Sequence, residues 1–162
     1  MRSAANPWVE IVESSPDWLI VPHILANAFP QDEDVHQLIW EMHAYLEGDA
    51  ARTLVLLNAG RFRTPEADQL RMDSLAADDG LTLRHAADGI AMSKPEGGLD
   101  ALGSAVRRDP ANAHFLIDAI VSYGPAAIPL IRDIPLEELA PATQVKVVFG
   151  LESLKHIARP TP

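Results

Sequence analysis

Beyond residue 98 the chain is cut at short intervals by residues that a helix does not pass. Asp109-Pro110, Gly124-Pro125 and Asp133-Ile134-Pro135 each close one helical stretch and open the next. Proline lacks the amide hydrogen, and its ring clashes with the preceding turn. The punctuation predicts helices over residues 99–108, 112–123, 126–132 and about 143–158. Helices this short are marginal in isolation, so their apolar faces must pack on one another. In the last of them Val147, Leu151, Leu154 and Ala158 form the apolar stripe, while Lys155, His156 and Arg159 suit its negative end. The expected fold is mainly α, a helical bundle or short helical stack within a single domain of 162 residues.

The first half reads as helical too. Ser15-Pro16-Asp17 is a helix start, with the helix running to about Phe29 and kinked at Pro22. In the next helix the acids Asp32, Glu33 and Asp34 occupy the first turn. Val35, Leu38, Ile39, Met42 and Leu46 recur at i, i+3, i+4, i+7 and i+11, and Gly48 ends it. Residues 53–57, Thr-Leu-Val-Leu-Leu, suit a buried helix and a buried strand equally. Thr64-Pro65-Glu66 opens a further helix, stopped at Gly80. Leu81-Thr82-Leu83-Arg84, a turn at Asp88-Gly89 and Ile90-Ala91-Met92 predict a small β-hairpin around 81–94. Lys94-Pro95-Glu96-Gly97-Gly98 then reads as a linker between subdomains 1–94 and 98–162.

Two stretches resemble known families. Arg108-Asp109-Pro110, Arg132-Asp133-Ile134-Pro135 and the run Tyr123-Gly124-Pro125-Ala126-Ala127-Ile128-Pro129-Leu130-Ile131 make residues 99–157 resemble HEAT-like helical repeats. That resemblance implies a protein-binding scaffold. Residues 35–92, three helices followed by a hairpin, resemble a winged helix, which implies DNA binding through the third helix and the wing. There Arg61, Arg63, Arg71 and Arg84 would meet phosphate, although the third helix also carries Glu66, Asp68, Asp73, Asp78 and Asp79. An acidic reading helix repels duplex DNA.

Charge separates the two halves more sharply than any motif. The first fifty residues hold nine acids and one base, a net −8 out of −10 for the whole chain. Such asymmetry points to a partner surface of opposite sign and makes nucleic acid an unlikely partner. The chain has no cysteine, which excludes disulfides and thiolate chemistry. No phosphate-binding glycine loop, nucleophile elbow or metal motif stands out, so neither catalysis nor a cofactor or metal is expected. The opening residues lack the pattern of a secretion signal, and no apolar run is long enough for a membrane helix. A cytoplasmic location is expected.

The acidic helix carries a second stripe, His36, Trp40, His43 and Glu47. Two histidines at i and i+7 are poorly spaced for one metal ion, whereas a tryptophan flanked by polar groups suits a contact surface. Asp32, Glu33, Asp34, His36, Trp40, Glu41, His43 and Glu47 are therefore the candidate partner-binding residues. The expectation is an inhibitor or immunity-type protein covering a basic surface of a toxin or enzyme; the alternative is a winged-helix regulator on DNA.

Overall fold

The computed structural model describes residues 20–29, 32–45 and 65–158. Eight α-helices and three 3₁₀ turns account for most of them, and no strand occurs among the described residues. The helices are α1 (Ile20–Ala28), α2 (Glu33–Tyr45), α3 (Pro65–Ser74), α4 (Gly80–Ser93), α5 (Gly98–Arg108), α6 (Ala113–Val121), α7 (Ile128–Arg132) and α8 (Pro141–Ile157). The 3₁₀ turns are Pro110–Asn112, Gly124–Ala127 and Leu136–Glu138. The mainly α expectation holds, and each helix predicted after residue 98 is present.

Local chemistry explains the starts and stops. Asp32 accepts hydrogen bonds from the backbone amides of Asp34 (3.0 Å) and Val35 (3.2 Å), satisfying donors at the first turn of α2. Pro65 and Pro141 each take the first helical position, where a missing amide hydrogen costs nothing. Asp109 ends α5 and then caps the following 3₁₀ turn through the Asn112 amide at 3.3 Å. Its other oxygen accepts from the Asn112 side chain at 2.8 Å. The predicted breaker thus acts as a connector with its own hydrogen bonds.

The hairpin expected at 81–94 is not there; those residues form α4. Two causes are visible. Asp79 sits in an extended conformation and accepts from the Thr82 amide at 2.8 Å, so the acid before Gly80 starts a helix instead of ending one. Leu83, Ala86, Ala87 and Ile90 are all buried and recur at i, i+3, i+4 and i+7. Asp88-Gly89 is an interior helical step, with Gly89 buried. Without a hairpin the winged-helix reading loses its wing. The possible helix or strand at 53–57 and the start of the first helix lie outside the described residues.

The core runs from Leu75 to Leu154 and crosses the connection at residues 94–97. Helix α6 is its centre: Ala113, Leu116, Ile117, Ala119 and Ile120 are buried, and α4, α5 and α8 pack around it. Helix α4 in turn lies between α3 and α6. The buried positions of α4, residues 83, 86, 87, 89 and 90, recur thirty residues later in α6 as 113, 116, 117, 119 and 120. The turns that follow match as well. Lys94 (φ 48°) and Gly124 (φ 70°) both adopt the left-handed conformation, and each precedes a proline. Close approaches tie the helices together. A β-carbon on Gly103 of α5 would stand 2.5 Å from Leu130 Cδ1 of α7. One on Gly98 would overlap the Tyr123 hydroxyl. In the first half α1 packs on α2, where Ala26, Ile39 and Met42 are buried.

Candidate functional site

Helix α2 carries the acidic cluster on a surface the structure leaves open. Ile39 and Met42 face inward, and Val35 and Leu38 are half-buried, as the apolar spacing predicts. Asp32, Glu33, Asp34 and Glu41 are exposed. Glu41 accepts a hydrogen bond from the Gln37 side chain at 3.0 Å, one turn back. That bond holds the carboxylate along the helix without neutralising it. The described residues 20–29 and 32–45 contain no lysine or arginine, and among the described residues none of these four acids forms an ion pair. Asp32 is partly committed to capping, so Glu33, Asp34 and Glu41 are the freer electrostatic groups.

Of the other predicted site residues, His36 is half-buried in α2. Trp40 and His43 lie on α2 by backbone, with side chains outside the described residues, as is the whole of Glu47. Among the described residues no three His, Asp or Glu side chains gather as a metal-holding group.

Of the arginines assigned to DNA phosphate, Arg71 and Arg84 lie among the described residues. Arg71 is fully buried in α3, with its guanidinium 2.7 Å from the Asp68 carboxylate. A side chain in that position reaches no phosphate. Arg84 is exposed on α4, 3.8 Å from Asp88. Arg61 and Arg63 lie outside the described residues. Ser104 is exposed on α5, and its neighbour Gly103 is explained by the close approach of Leu130. His114 is exposed with its ring 3.7 Å from that of Phe115.

One exposed surface was not singled out from the sequence. Val145, Val148, Phe149 and Ile157 of α8 all face solvent, Phe149 at 71%. Val145, Val148 and Phe149 lie off the stripe of Val147, Leu151 and Leu154 that the sequence marks as the apolar side of this helix. No described helix is long and apolar enough to cross a membrane. No protein family, curated protein or solved structure matches this chain.

Proposed function

We propose that the chain is a non-catalytic protein-binding module that meets a basic surface of a partner protein through the acidic face of α2, in the manner of an inhibitor or immunity protein. The observation that carries this reading is the set of exposed carboxylates Asp32, Glu33, Asp34 and Glu41, without ion pairs among the described residues, in a stretch free of lysine and arginine. Like charges held together repel one another, and a partner of opposite sign relieves that cost. Carboxylates placed this way chiefly raise the association rate, while an aromatic anchor supplies desolvated area. Trp40, with His36, His43 and Glu47, is proposed for that second role. The stacked helices α4–α8 support the reading as a rigid scaffold of the HEAT-like kind. The cytoplasm is the proposed location.

The test begins with capture. The wild-type chain and the triple variant Asp32→Lys, Glu33→Lys, Asp34→Lys are each used as bait in host lysate. A basic protein retained by the first and lost by the second is then purified and its binding kinetics are followed against salt. The triple reversal is expected to slow association and flatten its salt dependence. Association of the captured protein at the same rate and with the same salt slope in both chains would leave the acidic face without a role.

A further inference from the structure

We draw no further inference here: the strongest candidate, the exposed face of Val145, Val148 and Phe149 on α8, carries nothing because its bordering charges are paired within the chain, Lys146 with Asp118 and Lys155 with Glu152, and nothing in the structure shows what covers it.

Discussion

A β-carbon on Gly150 would lie 2.6 Å from Val121 Cγ2, so α8 approaches the end of α6 more closely than any other residue type permits. Gly150 occupies the position corresponding to Ile90 and Ile120, both fully buried. Glycine at this place allows the close approach of α8 to Val121, while Phe149, its neighbour in sequence, is exposed.

Gly150→Ala sets two effects against each other. Alanine favours the helix by about 1 kcal/mol over glycine, while forcing a group into a filled contact costs about 1–3 kcal/mol. Val121 is β-branched and stiff about χ1, so it yields poorly. Net destabilisation of about 1 kcal/mol is expected. Val121→Ala in the same chain should recover most of it. A double-mutant cycle read from denaturant midpoints checks this, and additive losses would show that the two residues do not meet.

The pairing of Arg71 with Asp68 makes a different prediction. Arg71 is fully buried and Asp68 is only one-fifth exposed. Truncating Arg71 to Ala leaves a cavity and a half-buried carboxylate without its cation, and is expected to cost about 3–5 kcal/mol. Arg71→Met fills the volume and is expected to cost far less, least of all when Asp68→Asn removes the stranded charge. Equal losses for Arg71→Ala and Arg71→Met in chemical denaturation would mean that the ion pair, not packing, sets the stability of α3.

Asp79 holds the start of α4, the element read as a hairpin from its sequence. Hydrogen bonding from the Thr82 amide, its largest influence, keeps the Asp79 carboxyl below its ordinary value of 3.8. A carboxyl lowered in the folded state contributes stability above its unfolded pKa and loses that contribution as pH falls through the lowered value. Asp79→Ala should therefore lower the melting temperature modestly at neutral pH, and the gap from wild type should close in acid below that range. Asp79→Asn, which keeps the accepting oxygen, should lose less. A gap that stays constant down to pH 2 would assign the effect of the substitution to something other than the cap.

The misreading of α4 has a physical origin. Its helical period was present at Leu83, Ala86, Ala87 and Ile90, but two of the four are alanines, which signal burial weakly. Asp88-Gly89 imitates a turn, yet in α4 it is an interior helical step with Gly89 buried. The thirty-residue correspondence with α6 was hidden for the same reason. Ala86 and Leu116 differ as residues and agree only in being buried. Helices bounded by proline were legible because the breaker acts locally, without help from tertiary contacts. The acidic face of α2 was legible from a charge count. The face around Phe149 was not, because Val147, Leu151 and Leu154 already account for the buried side of α8, and apolar residues off such a stripe carry no mark of their own.

Tyr123 provides a last prediction at alkaline pH. It lies where α6 ends, with its hydroxyl 3.5 Å from the Ile90 carbonyl and over the first turn of α5. Burial, helped by the Asp68 carboxylate, pushes its phenol up to about 12. Both causes disfavour the phenolate, so the folded state prefers the neutral ring. A group raised in this way supplies stability that is fully present below its unfolded pKa of 10.0 and is lost as pH rises through the folded value. The melting temperature should thus fall between pH 10 and 12, and Tyr123→Phe should flatten that decline while remaining folded at neutral pH. The chain has two tyrosines, so the phenolate absorbance of the wild type is to be compared with that of Tyr123→Phe, whose only phenol is Tyr45. The difference between the two titrations should show a group ionising near pH 12. A difference curve centred near pH 10 would mean that Tyr123 is as free as a solvated phenol and does not close the joint between α4, α5 and α6.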